Sequence, residues 1–153
     1  MKQFISTLII FWSLTAQAQT DHLVISQVYG AGGNTGAPYT HDFVELYNPT
    51  SGSVSLAGWS LQYAGATTNN WNSNNVPLSG TIAPGKYFLI QFGSVTAISN
   101  FPAPDVKSAA ITISATSGKI ALVNNTTLLT GNCPLPNTAI IDFVGYGTAD
   151  CAE

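Results

Sequence analysis

Arginine is missing from this sequence, and charged residues make up only 7% of its 153 positions, where about 25% is usual. The basic side chains are Lys2, Lys86, Lys107 and Lys119, scattered along the chain. They form no cluster of the kind that neutralises a phosphate backbone, so direct nucleic-acid binding is not expected. Glu and Lys are scarce while Gly, Asn, Ser, Thr and Pro recur throughout, which argues against a helical bundle. Low charge combined with many β-branched and aromatic residues also excludes a disordered chain. Histidine occurs only at positions 22 and 41, and no serine stands in G-x-S-x-G, so no nucleophile constellation emerges. Two cysteines without clustered histidines make no zinc site. Neither a cofactor nor a metal is expected.

The first long apolar run is also the last. Lys2, the stretch Phe4 to Leu14 and the triplet Ala16-Gln17-Ala18 have the charged, apolar and A-x-A parts of a secretory signal peptide. The run is too short to cross a hydrocarbon core, which needs about 20 residues. Residues 1–18 therefore read as a leader cleaved after Ala18, residues 19–153 as one domain, and the location as extracellular or periplasmic, with no membrane span after cleavage. In such an oxidising compartment Cys133 and Cys151 read as one structural disulfide. Its closed loop of about 17 residues is worth about 3 kcal/mol in the chain-entropy account.

Period-two alternation dominates the remainder. Strands are expected at Leu23 to Tyr29, Asp42 to Asn48, Leu56 to Ala64, Lys86 to Phe92, Ala110 to Ile113 and Lys119 to Val123. An Asn124-Asn125 turn, a short return at Thr127 to Leu129 and a last strand at Ile140 to Tyr146 follow. In the second strand Phe43, Glu45 and Tyr47 share one face; in the third Trp59, Leu61 and Tyr63 do. Turn-forming clusters separate these runs and no capped 3.6-residue stripe appears, so the fold is expected to be all-β, an antiparallel sandwich or barrel.

The segments Asp42-Phe43-Val44-Glu45-Leu46-Tyr47-Asn48 and Leu56-Ala57-Gly58-Trp59-Ser60-Leu61-Gln62-Tyr63 resemble the lamin tail domain. Val24 to Gly30, Ile82-Ala83-Pro84-Gly85-Lys86-Tyr87-Phe88-Leu89-Ile90-Gln91 and Asp142-Phe143-Val144-Gly145-Tyr146-Gly147 are similar to its bacterial secreted branch. Five motifs in order cover nearly the whole mature chain. The resemblance implies an immunoglobulin-like antiparallel β-sandwich of about seven to nine strands. It also implies structural rather than catalytic roles for Asp42, Phe43, Glu45, Leu46, Asn48, Trp59, Pro84, Gly85 and Asp142. Relatives of this kind stand ahead of metal-dependent nuclease domains in extracellular endonucleases, or beside adhesion modules. The chain stops at Cys151-Ala152-Glu153, just after its last strand, where secreted relatives continue, so a truncated reading frame is favoured over a natural stop.

Several groups invite chemistry. Gly30 to Gly36 is glycine-rich, but Pro38 and a strand follow it rather than a helix, so it reads as an inter-strand loop and not a phosphate cradle. His41, Asp42 and Glu45 are the densest titratable cluster. Asp42 and Glu45 point to opposite faces of a strand, and His41 and Glu45 stand about 13 Å apart at about 3.3 Å per residue. A dyad or shared metal is therefore disfavoured, and Glu45 is expected to be satisfied by hydroxyl or backbone donors. Asp142, between Ile141 and Phe143, needs donors or a cation; Lys86 and Lys119 are the candidates. Trp71, flanked by Asn70 and Asn72, has two readings. It stacks on a sugar ring with Tyr39 as a second platform, or it folds back to cover the sandwich edge.

These features imply a secreted, non-catalytic module that anchors, targets or scaffolds through an unknown surface polymer or protein. The alternatives are an accessory domain of a secreted metal-dependent endonuclease and a carbohydrate-binding module.

Overall fold

A computed structural model describes residues 20–71, 75–93 and 102–153. The leader assigned to residues 1–18, and Asn72, lie outside the described residues. Among the described residues ten strands run in order: β1 (Val24–Tyr29), β2 (Phe43–Tyr47), β3 (Val54–Ser55), β4 (Ser60–Ala64), β5 (Asn75–Pro77), β6 (Thr81–Ile82), β7 (Tyr87–Phe92), β8 (Val106–Ser108), β9 (Gly118–Val123) and β10 (Ile140–Tyr146). They build two four-stranded sheets, β1-β2-β7-β8 and β10-β9-β4-β5, and a small β3-β6 ribbon. This is the open, immunoglobulin-like sandwich expected, with eight strands in the two main sheets.

Alternation explains the core. Val44 and Leu46 of β2 and Phe88, Ile90 and Phe92 of β7 meet Leu61 and Tyr63 of β4 and Ile120 and Leu122 of β9 between the sheets. Burying each such side chain contributes about 1.5–3 kcal/mol. In β1 a bulge at Ser26 interrupts the register, so that Ile25 pairs with Leu46 and Gln27 with Glu45. The extra residue turns both Ile25 and Val28 inward and leaves Gln27 and Tyr29 outside, which strict alternation from Ile25 would reverse. At the far end of β2, buried Asn48 ties the corner. Its amide donates to the carbonyls of Gly52 and Ile82, and its carbonyl accepts from the amide and hydroxyl of Thr50. The adjoining turn closes from Lys86 N–H to Ala83 carbonyl, with Pro84 second and Gly85, at φ 67°, third, as that turn geometry requires.

Two expected strands are not strands. Ile111 and Ile113 are buried, but Ile113 N–H donates to the Asp42 carboxylate and Ser114 N–H to the Tyr63 hydroxyl. Likewise Thr127 N–H donates to the Asn125 side chain and Leu129 N–H to the Gln62 side chain. In both segments side chains take the ladder's place. The strand beside β7 is instead β8, and it runs parallel to β7, with Ile90 opposite Val106. This corrects the wholly antiparallel expectation.

The two sheets differ on their outer faces. Every residue of β4 and β9 is buried, because loops roof the β10-β9-β4-β5 sheet. Trp71, Ala121, Val123, Leu129, Phe143 and Cys151 form a second apolar cluster beneath that roof. Its polar ties come from the sheet. Ser60 donates to the Asn125 carbonyl and Gln62 to the Thr127 carbonyl. Lys119, with no exposed surface, donates to the carbonyls of Thr68 (3.0 Å) and Asn132 (2.7 Å) and to the Asp150 carboxylate (2.6 Å). The Cys133–Cys151 disulfide, with Cα atoms 5.2 Å apart, joins the last segment to the same roof. That segment lies so close to β10 that a Cβ at Gly145 would collide with the Cys151 carbonyl.

Lys119 is buried but its partner Asp150 keeps 31% of its side chain exposed, so removing the ammonium strands no buried charge and costs about 1–3 kcal/mol through the lost charged hydrogen bonds, while breaking the disulfide costs about 3 kcal/mol. Lys119→Met and the Cys133→Ser/Cys151→Ser pair are each expected to lower the urea-unfolding free energy by these amounts. Because both ties hold the segment around Asp150 and Cys151, the combined variant should lose less than the sum. Strict additivity in that cycle would show that the two act independently.

Candidate functional site

The His41, Asp42 and Glu45 cluster is split by the sheet. Asp42 accepts hydrogen bonds from Gly32 N–H at 2.8 Å and Ile113 N–H at 3.2 Å. It thereby joins the glycine-rich loop to the segment ahead of β9. Gly32 must be glycine here, because a Cβ would collide with the backbone of His41 and Asp42. His41 is buried at the same corner. Glu45 projects from the other face and accepts the Ser26 hydroxyl at 2.7 Å. Asp142 accepts Ile25 N–H across the sandwich edge, fastening β10 to β1. Neither Lys86 nor Lys119 is its partner: Lys119 lies on the outer side of β9 and pairs with Asp150. Nearby, the Tyr146 hydroxyl donates to the Ser114 carbonyl at 2.7 Å. Burial, then the neighbouring Tyr63 and Asp42, push the Tyr146 phenol well above its ordinary pKa. Among the described residues no group of three or more His, Cys, Asp or Glu gathers as a metal site would require.

Trp71 is fully buried. Its ring lies 6.3 Å from that of Phe143 and its Nε1–H donates to the Gly131 carbonyl at 3.0 Å. The sugar-stacking reading of Trp71 is therefore corrected in favour of the covering one. The indole finds an apolar neighbour and a hydrogen-bond acceptor under the roof, while Asn70 beside it stays exposed. The remaining predicted platform, Tyr39, is elsewhere. It folds from the loop before β2 onto the outer face of the β1-β2-β7-β8 sheet. There it meets Tyr29 and Phe43 edge-on, with centroids 5.5 and 5.7 Å away, while Tyr29 and Phe43 stack at 5.1 Å.

Among the described residues no layer of loops covers that face. Cross-strand register sets Tyr29 beside Phe43, Gln27 beside Glu45 and Tyr47 beside Tyr87. Together with Tyr39 and the segment Pro102 to Asp105, these side chains enclose a groove of about 320 Å³ lined by Gln27, Tyr39, Phe43, Glu45, Tyr87 and Asp105, with Leu89, Pro102 and Ala103. Tyr87, 59% exposed, leans on Tyr47 with centroids 4.8 Å apart. Tyr87, Gln27 and Asp105 are the functional candidates that the sequence reading passed over. In Tyr87-Phe88-Leu89-Ile90-Gln91 both parities are apolar or aromatic, so alternation does not announce which face is outside. The usable signal was the alignment of β7 with β2, whose outward set Phe43, Glu45 and Tyr47 was legible.

Burial raises the Asp42 carboxyl above the ordinary aspartate range, opposed by the amide hydrogen bonds from Gly32 and Ile113 and by His41. A carboxyl that binds its proton more tightly in the fold contributes most to stability below its unfolded pKa. It loses that contribution as pH rises through the folded value. The stability of the wild type relative to Asp42→Asn is therefore expected to grow as pH is lowered from the raised value to the ordinary one. Urea midpoints across the carboxylate range check this, and a flat or opposite trend would mean that the amide bonds outweigh burial.

Comparison with known proteins accords with this architecture. The family model described as Lamin Tail Domain matches residues 16–148, which takes in every strand and the whole groove lining. No curated protein matches the chain. A match over most of the chain, on a ten-stranded all-β sandwich, is sufficient: this chain belongs to the lamin tail domain family.

Proposed function

We propose that this chain is a secreted, non-catalytic interaction module that works through the outer face of its β1-β2-β7-β8 sheet. The observation that carries the reading is the asymmetry of the sandwich. One outer face is roofed by loops that its own side chains bond to, while among the described residues the other presents packed aromatic and polar side chains around a groove. Exposed Tyr87, backed by the half-buried Tyr47 and standing beside Tyr39 at the groove, is an aromatic of the kind enriched at contact surfaces. The polar groups that first suggested chemistry support the same reading, since Asp42, Asp142 and Lys119 are engaged in holding segments together. Export accords with the disulfide, a bond that persists in oxidising compartments, and with the leader-like residues 1–18. The module would anchor or position an activity attached to it, with the nuclease context of similar secreted proteins as one such setting.

Two measurements test this. Expressed with its own first eighteen residues, the chain should be exported and carry Gln19 as its first residue in an intact-mass measurement; retention in the cytoplasm at full mass would refute secretion. The labelled exported protein should sediment with the producing organism's cell-envelope and extracellular-polymer fraction. Tyr87→Ala, at an exposed position, should reduce that retention several-fold. Equal retention of both proteins, or of neither, would count against the open sheet as the working surface.

A further inference from the structure

Tyr87 rests one face on Tyr47, with the rings tilted by 34°, and remains 59% exposed. It is thus a supported platform with a free face. An aromatic face is electron-rich and attracts polarised C–H groups laid flat upon it, which is what the apolar face of a pyranose offers. Around it stand two carboxylates, each fixed by one oxygen only. Glu45 Oε1 accepts the Ser26 hydroxyl at 2.7 Å, and Asp105 Oδ2 accepts Leu89 N–H at 2.8 Å. Among the described residues no partner meets Glu45 Oε2 or Asp105 Oδ1. Carboxylate oxygens held in place in this way are strong acceptors for hydroxyl groups. Gln27 adds an amide that both donates and accepts.

The lining contains no lysine or histidine, so an anionic ligand would meet only like charge. The volume of about 320 Å³ stands at the lower end of the range for small-molecule sites, about 300–1,000 Å³. It suits a ring or two of a chain rather than an apolar helix. Two other cavities among the described residues are of comparable size: one of about 300 Å³ beside Leu129 and Asn137 in the roof has no charged group and no aromatic platform, and one of about 350 Å³ beside Asp21 and Thr50 has no aromatic platform.

We propose that the groove binds a neutral polysaccharide, with a sugar ring stacked on Tyr87 and its hydroxyls donating to Glu45 and Asp105. This rests on the reading of the open sheet as the contact surface and names its ligand. It also moves carbohydrate recognition away from the buried Trp71.

The test is affinity electrophoresis of the full disulfide-bonded chain in native gels containing laminarin, hydroxyethylcellulose, xylan or galactomannan. At least one of these should retard the wild type. Tyr87→Ala should weaken that binding about tenfold, the loss of one supported stacking contact. Tyr87→Phe should retain most of it, and Glu45→Gln should weaken it several-fold by replacing an acceptor with a donor. Leu128→Ala, at an exposed roof position, should bind as the wild type does. Circular dichroism and urea midpoints verify that each variant is folded. The proposal is overturned if none of the four neutral polymers retards the wild type, if Tyr87→Ala is retarded equally, or if retardation is confined to alginate or chitosan. Tyr87-dependent retention on cell envelopes without any neutral-polymer binding would overturn the ligand and leave the contact surface standing; loss of both would overturn both.

Discussion

The ammonium of Lys119 is the point on which the two-faced character of this sandwich depends. It sits on the outer side of the central strand β9 with no exposed surface. It spends its three donors on the Thr68 carbonyl, the Asn132 carbonyl and the Asp150 carboxylate. Those acceptors belong to three separate loops, so one buried cation specifies how all three converge over the sheet. A greasy residue there would pack as well, and buried ion pairs are often no more stabilising than apolar replacements. The apolar replacement, however, could not donate to the Thr68 and Asn132 carbonyls, and the loops would lose the bonds that gather them over the sheet. Ser60 and Gln62 extend the same logic along β4. The sheet side chains thus supply the hydrogen bonds that irregular loops cannot make among themselves, and an extra layer forms without any regular structure of its own.

Among the described residues the opposite sheet receives no such layer, and its outer residues keep their chemistry available. Tyr39, Tyr29 and Phe43 pack upon one another at one end, which leaves Tyr87, Glu45, Gln27 and Asp105 around the groove. A lamin tail domain is an immunoglobulin-like frame, and such frames carry their function on surfaces rather than in their cores. In this chain the choice of surface follows from which face the loops have left uncovered.

Most strands were legible because alternation reports burial directly. β1 and β2 fall where the apolar period is two, β7, β9 and β10 where short apolar runs stand between turn signals, and Glu45 accepts a hydroxyl as its half-buried position required. The failures share one physical cause. Alternation shows which side chains go inside and is silent about where the backbone finds its partners. Residues 110–113 and 127–129 alternate like strands, but their N–H groups bond to Asp42, Asn125 and Gln62 side chains. Val106-Lys107-Ser108, with hardly any apolar pattern, is a ladder strand because it borders β7. Trp71 misled through its polar neighbours in sequence, since it turns inward directly after the exposed residues 67–70. Lys119 was visible only as a possible partner for Asp142, because parity does not reveal that a second layer covers the outer face.

The bulge at Ser26 has a consequence for how the chain avoids error. β1 is an edge strand, and edge strands with strict alternation slide by two residues along a neighbour at little cost, or pair with the edge of another molecule. With the inward pair Ile25 and Val28 spaced by three, a slid β1 has to bury Gln27 or Tyr29 in place of an aliphatic side chain. Only one alignment with β2 fills the core, and the Asp142 carboxylate then occupies the Ile25 amide that an incoming strand would need. The extra residue works as a keyway: it favours one register and, with the Asp142 carboxylate on the Ile25 amide, leaves less of the edge open to a foreign strand.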